Sequence, residues 1–357
     1  MIIDNHAHSF PHLGSNSEYE KEGIQLLYAQ KLISDHIESA RKLKDYSLAP
    51  DNTLWDKNKP GPEGRFDVNF RTGKYGKYEW TYQDDTYFKQ YMPVGMQEMV
   101  APPDFLIAQM NYAGIDKAVL QRGHIYGKVD KYYENALKKY PDRFIGLTQI
   151  DEAEAYKDEQ IDALHNGINK LGLKGLYFEP GALFMNNFKY NFDNLIYDTF
   201  WKEVELLNIP VYIQTDRNDY LNQIKSWIKI LEKCPSIVLV ITLGLPKEVL
   251  ESEDQIHVPE LVKHLVKEFN VYLEIAYPIS MGNKVKYPYR EAHRLIELLY
   301  MNFGPEKLVW GTDIPNIERY CTYRQSLYYI IDYCKFLSDE DKEQILAENV
   351  LKIFNLK

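Results

Sequence analysis

His6 and His8 sit two residues apart at the end of the apolar run that opens the chain, MIIDNHAH. In an extended strand, residues two apart face the same way, so both imidazoles project to one side. Two imidazoles on one face can hold a divalent cation when a further donor arrives from elsewhere. The plainer alternative is a pair of hydrogen-bonded histidines near a chain end. Asp4 shares their phase, where a carboxylate can orient a ligating histidine. Far along the chain, Asp313 follows the run Leu308–Gly311 in the stretch VWGTDIP. A carboxylate there can complete a metal site or take a proton from water.

These residues meet only if the intervening elements bring them together. Short unalternating apolar runs recur at Met1–Asn5, Lys117–Gln121, Phe144–Gln149, Gly175–Glu179, Pro210–Gln214, Ile237–Thr242, Val271–Ile275 and Leu308–Gly311. Such runs suit strands buried on both faces, as in parallel sheets. Between them, Ala155–Leu171, Asp198–Asn208, Tyr220–Lys233, Pro259–Phe269, Tyr289–Phe303 and Tyr323–Phe336 carry helical spacing of apolar residues. Repeated strand–helix units predict a parallel α/β sheet, and eight of them predict a (β/α)8 TIM barrel. An open doubly wound sheet is the alternative, but no GxGxxG follows the first strand. In a closed barrel the first and last strands are neighbours, so His6, His8 and Asp313 are expected to converge at the C-terminal mouth.

The region from 46 to 101 breaks the rhythm, with many Gly, Pro, Asn, Asp and aromatic residues. It is too long for an ordinary barrel loop. We read residues 1–357 as one domain, with 46–101 inserted as a lid or cap. Its Arg65, Arg71, Tyr75 and Trp80 are candidates to reach a substrate.

The chain has 357 residues and a formal net charge of −10. That charge argues against nucleic acid or an anionic membrane as partner. No run of about 18 apolar residues marks a membrane span. Three scattered cysteines exclude a disulfide framework, and a cytoplasmic location is the expectation. A small-molecule substrate is the expected partner, with homo-oligomerisation open.

The sequence DNHAH at the first strand, WGTDIP at the last and the closing ILAENVLKIFNL resemble the amidohydrolase superfamily. The related branch contains aminocarboxymuconate-semialdehyde decarboxylase, aromatic-acid decarboxylases and pyrone-dicarboxylate lactonase. KYPDRFIGLTQID and GLKGLYFEP resemble that branch's third and fourth strands. The resemblance implies a metal on His6, His8 and Asp313, zinc first and manganese second. It also implies histidines at the ends of the fifth and sixth strands, where this chain has Gln214 and Thr242. An amide oxygen is a poor zinc ligand, so a metal-free site is the other expectation. The lactonases of this branch work without a metal, with the aspartate as base.

Other groups are placed to compensate. Glu179 ends the fourth strand and is a candidate metal ligand or acid/base, with Asp216 ranked below it. In the loop after the second strand, Arg122 is suited to a substrate carboxylate, His124 to acid/base work and Tyr126 to substrate contact. Gln214, Thr242 and Arg71 complete the candidate substrate contacts. His36, His165, His264 and His293 lie in helical patterns, which a barrel keeps away from its mouth. His12 borders the site, and His257 is left aside.

The expected enzyme is a hydrolase acting on a small cyclic or aromatic carboxylate-bearing compound, with Asp313 activating water. A nonoxidative metal-dependent decarboxylase is the first alternative. A barrel that binds small molecules without catalysis is the second.

Overall fold

The computed structural model describes all residues except 37, 253–254, 278, 285 and 357. Eight parallel strands make a (β/α)8 TIM barrel. They are β1 (Ile3–Ala7), β2 (Lys117–Leu120), β3 (Phe144–Thr148), β4 (Gly175–Phe178), β5 (Val211–Ile213), β6 (Leu239–Ile241), β7 (Val271–Ile275) and β8 (Leu308–Trp310). Each pairs with the next in chain order. Closure comes from the backbone beyond β8: His8 N donates to Ile314 O at 2.8 Å, and Asp313 N donates to His6 O at 2.8 Å.

The unalternating runs are explained by burial on both faces. In β2, Val119 points into the barrel, against Ile3, Leu147, Tyr177, Tyr212, Val240, Tyr272 and Val309. Its neighbours Ala118 and Leu120 pack outward against the helical layer. The C-terminal helix Asn349–Ile353 plugs the bottom with Val350 and Ile353, and Phe354 follows it.

The strand spans follow the apolar runs to within a few residues, with β1 reaching Ala7 rather than stopping at Asn5. The expected helix over 155–171 begins at Asp158 and widens into a π turn over Asn166–Lys170. Likewise the last of the six runs α-helical from Tyr323 to Tyr328, then as a π turn to Tyr333. No helix of the described residues is long and apolar enough to cross a membrane.

The long insertion, joined by Arg41–Lys42 just ahead of residue 46, carries a four-stranded sheet in which Arg41–Lys42, Asp85–Gln90, Lys77–Tyr82 and Arg71–Thr72 lie side by side. Tyr78, Trp80, Tyr87 and Met92 form its core with Phe10, Ala29, Ile33, Ile125 and Tyr126. The insertion therefore packs over the loops that follow β1 and β2.

β1 has one irregularity that matters for the site. Its register with β2 shifts between Asp4 and Ala7. Such a shift re-aims side chains that strict alternation would send to opposite faces.

Candidate active site

Because of that shift, the adjacent residues Asn5 and His6 reach the same carboxylate. Asn5 Nδ2 donates to Glu274 Oε2 at 2.7 Å, and His6 Nδ1 lies 2.6 Å from Glu274 Oε1. Glu274 projects inward from β7 and is fully buried. Gln121 Nε2 and Leu243 N also donate to it, at 3.0 and 2.9 Å. Asp4 holds the backbone of His6 instead of its ring, accepting from His6 N at 2.9 Å, and is tied to Thr312 and Tyr323.

His8 Nδ1 lies 3.2 Å from Gln121 O, a group that can only accept. The Nδ1 of His8 is therefore a donor, and the Nδ1 of His6 donates to the Glu274 carboxylate. Both Nε2 atoms are left to face each other at 3.0 Å, and His8 Nε2 lies 3.0 Å from Asp313 Oδ1. His6 Nε2 is 3.8 Å from the same oxygen. Two lone pairs and a carboxylate oxygen at this range require a positive charge between them. A proton can serve: burial opposes it, but the Glu274 carboxylate lifts His6 to about 9. A divalent cation suits the same donors, since ligand atoms of His6, His8 and Asp313 all lie within 4.8 Å of one another.

The carboxylate of Asp313 is aimed by a left-handed backbone, with φ of 63°. Asp tolerates that conformation better than most residues. Asn316 Nδ2 donates to Asp313 Oδ1 at 2.7 Å. Burial would raise this carboxyl, but His8, the charge of His6 and Asn316 hold it below its ordinary range. Gly311 leaves the needed room, because a Cβ there would sit 2.8 Å from both Glu274 Cδ and His6 Cβ.

A cavity of about 420 Å³ opens beside this cluster, lined by Asp313, Glu179, His124, Gln214 and Thr242 among others. Gln214 Oε1 accepts from Tyr177 at 2.6 Å, and the Thr242 hydroxyl donates to Ile213 O at 2.9 Å. His124 has both ring nitrogens engaged. Nε2 meets Glu152 Oε2 at 2.5 Å, and Nδ1 meets the Tyr19 hydroxyl at 2.7 Å. Its ring stacks on Tyr28 with centroids 4.1 Å apart. Glu152 Oε1 also accepts from Glu179 N at 3.0 Å. Burial, reinforced by Glu152, raises the Glu179 carboxyl above its ordinary range.

Other candidates lie outside the cavity lining. Arg122 is buried in an ion pair with Asp130 and stacks on Tyr133. Tyr126 packs its ring 4.4 Å from that of His8, and its hydroxyl accepts from Asn316. Arg71 pairs with Glu79 in the inserted sheet. Arg65 bonds Gln30, Trp80 bonds Thr53, and Tyr75 is exposed. Tyr91, just past the inserted sheet, does line the cavity, as do Asp216 and His36. His36 caps the helix Ile24–Asp35, whose last turn, with Lys31, Leu32 and Asp35, also lines the cavity. His12 accepts from Gly14 N, His165 pairs with Glu203, and His293 stacks on Tyr329.

Sequence reasoning missed Glu274 and Glu152. Each had a signal: Glu274 is the one acid inside the apolar run VYLEI, and Glu152 closely follows β3.

A family model described as Amidohydrolase matches residues 3–356. The chain belongs to the amidohydrolase family. Solved structures extend the likeness at the level of fold. A probable 2-pyrone-4,6-dicarboxylic acid hydrolase from Acinetobacter baumannii, with citric acid bound, is 15% identical with a TM-score of 0.56, covering 99% of each chain. The 5-carboxyvanillate decarboxylase from Sphingomonas paucimobilis is 11% identical with a TM-score of 0.55, covering 100% of this chain and 99% of its own. A dihydroxybenzoic acid decarboxylase from Polaromonas sp. JS666, with bound manganese and 2-nitroresorcinol, is 12% identical with a TM-score of 0.53, covering 72% and 87%. No curated protein sequence matches this amidohydrolase. Its solved neighbours thus include both a hydrolase and decarboxylases.

Proposed function

We propose that this amidohydrolase hydrolyses a small cyclic or aromatic carboxylate-bearing compound. The observation that carries the reading is the pairing of two carboxyl groups with opposite tendencies on one cavity. Asp313 is held ionised beside His8, whereas Glu179 is raised by burial. An ionised carboxylate serves as base and a protonated one as acid. Asp313 takes a proton from water, the water oxygen bonds to the carbonyl carbon, and Glu179 protonates the departing oxygen. His124 and Glu152 position Glu179 from behind.

Zinc, or manganese in its place, fits His6, His8 and Asp313. When bound, such an ion polarises a carbonyl oxygen and makes bound water more acidic. Gln214 and Thr242 contact substrate in this reading, since both line the cavity that holds it.

The raised carboxyl of Glu179 favours one second reading. A carboxylic acid facing the ring can deliver a proton to carbon, which is the closing step of a nonoxidative decarboxylation. Incubation of the purified protein with cyclic carboxylate lactones and with hydroxylated aromatic acids separates the two. Hydrolysis consumes base and releases no CO2. Decarboxylation releases one CO2 per turnover.

A further inference from the structure

The cavity has a positive pole that the chemistry above does not use. Arg319 and Arg217 both line it. Arg319 lies six residues past Asp313, at the end of the short helix Asn316–Arg319. Its guanidinium is flanked by the rings of Tyr320 and Tyr91, with the cation 5.0 and 5.9 Å from their centroids. Nε donates to Asn316 O at 3.3 Å, but Nη1 is buried with no hydrogen-bond partner. Arg217 spends Nη2 on a backbone carbonyl, Ser280 O, at 2.6 Å. Behind them Lys89, buried in the inserted sheet, donates to Ile33 O and His36 O at 2.6 and 2.9 Å. None of these three cations forms an ion pair among the described residues. The nearby acids are engaged elsewhere: Asp35 pairs with Lys31 at 2.7 Å, and Glu38 accepts from the Tyr320 hydroxyl at 3.0 Å.

Arg319 as a whole is half-buried, but a buried N–H left without a partner is costly, and an acceptor brought to it by an anion removes that cost. The planar fork suits a carboxylate, which accepts two parallel N–H bonds. The neutral ring of His36, held at about 3 by burial and by Arg319, Lys89 and Arg217, agrees with a positive local field. The chain as a whole carries −10, so this pole runs against its general charge.

We propose that Arg319, assisted by Arg217, is the carboxylate-binding subsite of the cavity. This rests on the reading of the same cavity as a substrate site, but not on the reaction performed there. Arg122, the arginine singled out from sequence, has its carboxylate already in Asp130.

The test is equilibrium binding of benzoate, with benzamide as its neutral counterpart, to the full-length protein by calorimetry. Benzoate should bind at least about tenfold more tightly than benzamide, as expected for a hydrogen-bonded ion pair. R319Q should abolish that preference while leaving benzamide binding unchanged, and R217Q should reduce it. R319K, which keeps the charge but not the fork, should restore part of it. D313N should retain benzoate binding even if it abolishes turnover, so failure of the hydrolase reading leaves this result standing. Equal binding of benzoate and benzamide, or no binding of benzoate, overturns the proposal. So does benzoate binding that survives R319Q and disappears with EDTA, because an ion on the histidines would then be the receptor. If R319Q lowers the melting temperature, the R217Q and R319K comparison decides.

Discussion

His6 Nδ1 and Glu274 Oε1 are 2.6 Å apart across the barrel, although 268 residues separate them in the chain. The contact fixes which nitrogen of His6 carries a proton and turns its other nitrogen toward His8 and Asp313. Carboxylates that hold ligating histidines this way are worth about 10–100-fold in metal affinity. Glu274→Gln is therefore expected to weaken zinc binding by that order. Competition against a chromogenic chelator measures it, using folded protein verified by circular dichroism. Unchanged affinity would show that His6 needs no such orientation.

Asp313→Asn separates catalysis from folding. Asn also accepts the left-handed backbone seen here, and it can keep the contact from Asn316. The melting temperature should therefore change little. Activity should fall by roughly 10²–10⁴, the usual worth of a general base. Near-normal turnover with a lowered melting temperature would instead assign Asp313 to the turn before Pro315.

Gly311→Ala tests how closely the cluster is packed. The new Cβ meets the Glu274 carboxyl carbon and the His6 Cβ at 2.8 Å, and both sit on barrel strands. Overpacking of this kind costs about 1–3 kcal/mol. Denaturant titration should reveal that loss, and chelator competition should reveal weakened metal binding. A stable variant with native affinity would mean that β1 and β7 shift apart without consequence.

The pH profile reports on Glu179. Its carboxyl titrates above the ordinary value of 4.5, so the protonated acid persists to higher pH than for an exposed glutamate. As pH rises through that raised value the acid is lost, and kcat/KM should fall. Glu179→Gln cannot donate a proton and should remove this limb, along with about 10²–10⁴ of the rate. A profile with the same alkaline limb in the variant would assign it to another group.

Much of this arrangement is legible in the sequence because apolar runs buried on both faces leave a simple trace. The closing of the barrel then brings DNHAH beside WGTDIP with no further information. Glu274 is harder, since one acid in VYLEI faces either way until the phase of β7 is known. Here Tyr272 and Glu274 both point inward, where Tyr272 meets the barrel core and Glu274 meets His6. Glu152 lies in the acidic stretch DEAEAYKDE, whose charges read as solvated. Asp4 and His6 share a phase on paper, but the shifted register of β1 sends the His6 ring to Glu274.

The inserted sheet shares one apolar core with Phe10, Ala29, Ile33, Ile125 and Tyr126, and the ring of Tyr126 lies 4.4 Å from that of His8. The cavity wall and the wall that carries His8 are thus set by the same packing. This makes the insertion a poor candidate for exchange as a unit: grafted onto another barrel of this family, it brings a complementary surface that the recipient's loops must match. Divergence of substrate preference through this region is constrained to move in step with residues 10, 29, 33, 125 and 126, and a relative with a different insertion is expected to differ at those positions as well.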